Sequence, residues 1–241
     1  MEFRTLKAEE IDCRVAQIEK NWCTLLLYKD ARVDMNILDE TVGSMNWQKH
    51  YSRDNANCII SIWDEDKKQW IEKEDTGTES FTEAEKGLAS DSAKRSGFCW
   101  GIGRELYTAP SIFIFPRKDM GKIHKPDEES NEFFLNNNGK YTTKTRFYVD
   151  YITYDKDRNI ENLIIRDHKG NIRFEQLTEE ASQEKNKQFM KLQKLIRMNE
   201  DKDDNFDRAE FYKTFKVESD SQLNSKQTEK ALVLLEKRLE K

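Results

Sequence analysis

The chain has 241 residues, a length that fits one globular domain with a small appendage. Its charged and hydrophobic fractions are equal at 36% and its mean hydropathy is −0.94, so the core is thin unless self-association buries further apolar surface. The formal net charge of −5 excludes a uniformly basic polyanion binder, because that affinity comes largely from Lys and Arg; a DNA site here must be a local basic groove, repeated around an assembly. Residues 181–241 carry 14 basic and 12 acidic side chains, so the acidic excess lies in residues 1–180.

Taken in chain order, residues 6–20 place Leu6, Ile11, Val15 and Ile18 at amphipathic spacing behind Thr5, which predicts a short helix. The run WCTLLLY at 22–28 predicts a buried strand. Asp30 then caps a helix over ARVDMNILDETVG, with Val33, Ile37 and Val42 on its apolar side, Arg32 in its first turn and Gly43 as the stop. From Trp47 the pattern alternates, and Ile60, Ile62, Trp63 and Trp70 fall on two strands joined by the hairpin tip DEDKKQ. Trp47, Trp63, Trp70 and Trp100 have apolar neighbours that point to core packing rather than base stacking.

A further helix starts at Ser80 or Thr82 and runs to about Trp100, where Gly101 and Gly103 interrupt it. Asp91 precedes Lys94 and Arg95 by three and four residues, close enough to orient both cations, and Gly87, Ala89, Ser90 and Ser92 permit close packing. Residues 116–141, polar and containing NNNG, predict a mobile loop. TRFYVDYITY, ENLIIRD and NIRFEQL, separated by DKDRN and HKGN, predict a small antiparallel meander. Beyond Leu177 three helical stretches predict an appendage with Leu232, Leu235 and Leu239 on its inward stripe.

The four cysteines, Cys13, Cys23, Cys58 and Cys99, form no CxxC pair and do not cluster with His50, His124 and His168, so reduced, mostly buried thiols are expected and no metal or cofactor. Asp64, Glu65 and Lys67 have the residue types of a nuclease centre but read as a turn. Asp201, Asp203, Asn205 and Asp207 alternate as at the start of a calcium loop, yet Phe206 and Tyr212 stand where glycine and glutamate are required, and a solvated linker is expected. The polar, acidic start and the lack of any window approaching about 18 apolar residues predict a soluble cytoplasmic protein with no membrane partner.

Residues 86–107, KGLASDSAKRSGFCWGIGRELY, resemble the phage branch of the Rad-fifty-two type of single-strand annealing proteins, which includes the Sak proteins. The segment LLYKDARVDMNILDETVGSMNW and the Trp63/Trp70 hairpin followed by EDTGTE extend the resemblance over roughly residues 8–115. It implies an α+β fold in which a twisted antiparallel β-sheet packs on the signature helix. Subunits would form a ring whose groove holds one DNA strand by its phosphates, with the bases outward. It implies annealing without ATP in phage or prophage recombination, so not an enzyme.

The residues it implies as DNA-binding are Arg32, Lys94 and Arg95. The basic residue expected three or four positions after the Lys-Arg pair is replaced by Phe98 and Cys99, so either the groove is less basic or Arg104 substitutes. Lys29, Lys86 and Lys122 are the candidates for a second DNA site. Residues 1–177 form the annealing core on this reading. Residues 178–241 form a helical module that recruits a host single-strand binding protein or a phage exonuclease; the alternative makes that adaptor role the main one, within a bacterial host cell. Gly101 and Gly103 read as a helix stop rather than a phosphate cradle.

Overall fold

A computed structural model describes residues 1–78, 84–117 and 132–240, with the side chains of 84–86 excepted. The chain is α+β with antiparallel sheets. It divides into two compact units: Met1–Asp12, Leu27–Ala109 and Lys156–Asn159 in the first; Cys13–Leu26, Pro110–Asp155 and Ile160–Lys241 in the second. This division does not follow the expected boundary at 177/178, because the C-terminal helices cluster with the strands before them.

The expected helix over residues 6–20 is absent. A 3-10 turn, Ala8–Glu10, leads into β1, Ile11–Ile18. Ile11, Val15 and Ile18 suit helical spacing, but Ile11, Cys13 and Val15 also alternate, and β-branched side chains with strand neighbours on both sides decide for the sheet. β2, Cys23–Lys29, follows as expected, burying Cys23, Leu25 and Leu27 on one face.

In the first unit, α1 spans Ala31–Val42. The Asp30 side chain accepts a hydrogen bond from the Arg32 amide and Gly43 ends the helix at φ +82°, as its sequence predicts. β3 (Trp47–Ser52), β4 (Asn57–Asp64) and β5 (Gln69–Thr76) form an antiparallel sheet in that order, with Trp63 directly opposite Trp70. Cys58, Ile60 and Ile62 of β4 are buried, and helix α2, Ala84–Cys99, packs on β4 and β5.

The surface of α2 that meets the sheet is small and polar rather than an apolar stripe. Ser92 donates to the Asn55 carbonyl at 3.0 Å and Ser96 to the Lys73 carbonyl at 2.9 Å, so both buried hydroxyls are satisfied. The approach is close: a Cβ on Gly77 would come within 2.5 Å of the Ser92 amide nitrogen. The candidate caps Ser80 and Thr82 lie outside the described residues.

The second unit is built on a six-stranded antiparallel sheet, ordered β11-β10-β9-β1-β2-β6. Its further strands are β6 (Ile112–Ile114), β9 (Phe147–Tyr154), β10 (Ile160–Asp167) and β11 (Ile172–Gln176). The predicted meander is therefore present as β9-β10-β11. Within the stretch expected to be a loop, β7 (Phe133–Leu135) pairs with β8 (Tyr141–Thr143) around the NNNG turn. Residues 118–131 of that stretch lie outside the described residues.

The end strands β6 and β11 come back towards each other. The Arg173 guanidinium on β11 donates to the Phe115 carbonyl at 2.8 Å, just past β6. The same guanidinium pairs with Glu132 at 2.6 Å and Asp167 at 3.3 Å.

The C-terminal helices are α3 (Glu179–Lys202), α4 (Arg208–Thr214) and α5 (Ser225–Leu239). Leu192, Leu195, Ile196, Tyr212, Leu223 and Leu235 form their core, with Leu232 and Leu239 partly buried against it. Each fully buried aliphatic side chain contributes about 1.5–3 kcal/mol. Strand β10 is buried on both faces, and its Arg166 joins three segments: it pairs with Asp150 at 2.7 Å and donates to the carbonyls of Gly170 and Ser221. Asp150 in turn accepts from the Ser225 amide at the start of α5.

Candidate nucleic-acid interface

At the base of the candidate site lies a buried ion pair. Lys29, the last residue of β2, donates to the Asp34 carboxylate on α1 and, at 2.8 Å, to the Ile102 carbonyl beyond α2. Its ammonium also lies 4.2 Å from the Phe98 ring centroid. Burial pushes the Asp34 carboxyl up to about 6 against the pull of Lys29, and pushes the Lys29 ammonium down. Two glycines of residues 86–107 fit around this pair. A Cβ on Gly97 would come within 2.9 Å of Asp34 Oδ2, and one on Gly103, at φ +78°, within 2.9 Å of the Lys29 stem. Gly101 and Gly103 both adopt positive φ, as the helix-stop reading expects. With 1% exposure Lys29 cannot contact DNA, which corrects its assignment to a second site. The Lys86 side chain and Lys122 lie outside what is described.

Arg32 stands in the first turn of α1, and Lys94 on α2, which packs beside α1. Asp30 is drawn down to about 2, first by the Arg32 side chain hydrogen bond, then by the Arg32 amide, with the Lys94 charge contributing. Lys94 also acts on Asp34, and it forms no ion pair among the described residues. Arg32 is 79% exposed and folds back on Asp30 at 2.9 Å. Arg95 points towards β5, where its Nε stands 3.6 Å from Asp75, too far for a hydrogen bond; that nitrogen is buried without a partner, while the side chain as a whole is part-exposed.

Asp91 does not orient this pair, contrary to the spacing argument. It accepts from the Thr78 amide and hydroxyl, fixing the segment after β5. Arg104 lies elsewhere in the motif and caps α2, donating to the carbonyls of Phe98 at 2.6 Å and Cys99 at 2.9 Å. The next residue, Glu105, is buried and accepts from the Leu6 amide and the Arg158 guanidinium, which ties the N-terminal segment to the motif. Sequence reasoning missed Glu105, since only tertiary contacts reveal its partners.

The tryptophans are less buried than expected. Trp47, Trp63 and Trp100 are half-buried with their indole nitrogens bonded to Asp39, Glu65 and the Ile60 carbonyl; Trp70 is exposed and meets Trp63 edge-on at 5.6 Å. They cover a three-stranded sheet too small to enclose them.

Asp64, Glu65 and Lys67 form the hairpin tip, where Asp64 accepts from both the amide and the ammonium of Lys67, and Glu65 pairs with Lys68. In the acidic connector Asp203 binds the Asn205 amide and Arg238. Cys23 and Cys58 are buried and Cys13 and Cys99 half-buried, all four without disulfides. No group of three or more metal-ligating side chains occurs among the described residues, and no helix among them is long and apolar enough to cross a membrane. In the second unit a cavity of about 310 Å³ lies between α3 and the sheet, lined in part by Ile164, Ile172, Phe189 and Leu192. No family model, curated protein or solved structure matches this chain.

Proposed function

We propose that this protein binds single-stranded DNA and anneals complementary strands without ATP, as a ring of subunits acting in phage or prophage recombination. The observation that carries the reading is that α2, which bears Lys94, packs beside α1, which bears Arg32, and that these two helices lie in the two segments that resemble the annealing family. A phosphate offered to this junction would compete with Asp30 for Arg32 and meet Lys94, which forms no ion pair among the described residues. Arg95 adds a part-exposed guanidinium on the same helix, ion-paired with Asp75 at 3.6 Å. Neutralising the backbone removes repulsion between strands and leaves base edges free to test pairing, which requires no bond chemistry. Repetition around a ring would offset the net charge of −5 through multivalency.

The test is a fluorescence annealing assay with two complementary oligonucleotides, without ATP, across a salt series. Acceleration of pairing that weakens with salt supports the reading, and no acceleration at any salt concentration rejects it.

A second reading makes the chain an adaptor that binds single strands and recruits a host single-strand binding protein or an exonuclease. It is favoured by the cavity beside α3, whose lining residue Phe189 is 45% exposed next to Met190 at 71%. Binding of single strands without faster pairing would select it.

A further inference from the structure

We infer that Tyr107 is a stacking platform for a nucleobase of the strand held at Lys94, an inference that rests on the single-strand binding reading above. Phe98 follows Lys94 by one helical turn on α2, so their side chains lie along the same face, about 6 Å apart along the axis. Phe98 stands where the family resemblance implies a basic residue, so at this point the chain offers an aromatic ring in place of a charge. That ring is held from below by the Lys29 ammonium, itself locked by Asp34 and the Ile102 carbonyl. Against it, with ring centroids 5.0 Å apart and planes tilted by 55°, lies Tyr107.

Tyr107 is 70% exposed. Its backbone is nonetheless rigid, since it belongs to the 3-10 turn Arg104–Thr108, which Arg104 ties to the end of α2 and Glu105 to the N-terminal segment. The Tyr107 hydroxyl makes no hydrogen bond among the described residues. A large ring, fixed at its base, open to solvent and packed on Phe98 one helical turn from Lys94, which forms no ion pair among the described residues, combines the two elements by which single strands are bound: charge for phosphate and a π-face for the base. Such a contact tolerates every sequence, as annealing requires, because each base presents a π-face.

The experiment compares binding of an oligothymidine and of an abasic oligonucleotide of equal length and charge to the wild type, Tyr107→Ala, Tyr107→Phe and Lys94→Ala. Tyr107→Ala is expected to weaken oligothymidine binding by roughly 5- to 150-fold, the range for loss of one stacked base. It should leave abasic binding and the salt dependence unchanged, which also shows that the variant is folded. Tyr107→Phe should bind like the wild type, and Lys94→Ala should weaken both ligands. Unchanged oligothymidine binding by Tyr107→Ala, or equal loss on both ligands, overturns the inference alone. A wild type that binds neither ligand overturns the single-strand reading with it.

Discussion

Lys29 and Asp34 form an ion pair whose side chains are almost wholly withdrawn from water, at 0% and 4% exposure, and whose carboxylate leaves Oδ2 without a hydrogen bond. Removing one partner strands the other charge in the interior, whereas removing both removes the desolvation cost. Lys29→Met or Asp34→Leu alone is expected to lower stability by about 3–5 kcal/mol, and the double variant to recover most of that loss. Urea denaturation of the three variants checks this; additive losses would show that the two residues are not coupled.

The candidate interface makes separable predictions for its cations. Arg32→Ala, Lys94→Ala and Arg95→Ala should each weaken single-strand binding and reduce the salt slope by about one, with little change in stability. Arg104→Ala should instead lower stability by about 1.5–3 kcal/mol by uncapping α2, with the salt slope preserved. A reduced slope for Arg104→Ala would assign it to the groove after all. The measurements are binding isotherms at four or five salt concentrations, with thermal melts of each variant.

Acid sensitivity is expected from Glu132. Burial raises its carboxyl, but the hydrogen bond from Arg173, with others from the Arg117 amide and Thr145, outweighs burial and holds it below the ordinary 4.5. A carboxylate held low in the native state stabilises the fold above its ordinary value and loses that contribution as pH falls through the native value. Stability of the wild type should therefore decline on acidification below about pH 4.5. Glu132→Gln should show a shallower decline in the same window, in denaturant titrations at pH 3 to 7. An identical slope in both proteins would reject the assignment.

Deletion of residues 178–241 was the natural test of a detachable recruiting module, but the contacts of Arg166 and Asp150 bind that region to β9 and β10. Truncation before Thr178 would uncover Ile164 and leave Arg166 without the Ser221 carbonyl. The truncated chain is expected to aggregate or to melt at lower temperature than the full chain. A truncated protein with unchanged melting temperature and monodispersity would contradict this. Phe189→Ala with Met190→Ala is the cleaner probe of recruitment, since both residues are exposed.

What could be read in advance followed local chemistry. Asp30 and Gly43 mark α1 with a cap and a stop, and the strands of the meander are bounded by turn residues, so these elements appear where expected. Residues 6–20 deceived because Ile11 and Val15 satisfy both periods while Ile18 completes only the helical one, and only the neighbouring strands choose between them. Bringing the Lys94 helix up to the Arg32 helix needs the packing of α2 beside α1, which no spacing encodes. Arg104 and Asp91 were assigned by proximity in sequence to other charges, while their partners, two helix-terminal carbonyls and the Thr78 amide, are backbone groups invisible to a charge pattern. Lys29 gave no sign of its burial, because a lysine at a strand end is ordinarily solvated.

Arg173 has a consequence for how this protein survives at high local concentration. An end strand with unpaired carbonyls invites another chain to add a strand, which is the usual route to sheet-mediated aggregation. By donating to the Phe115 carbonyl while held by Glu132 and Asp167, Arg173 fills one such acceptor with a side chain and draws the two ends of the six-stranded sheet together. A chain crowded against copies of itself thus presents a stapled seam there instead of a template.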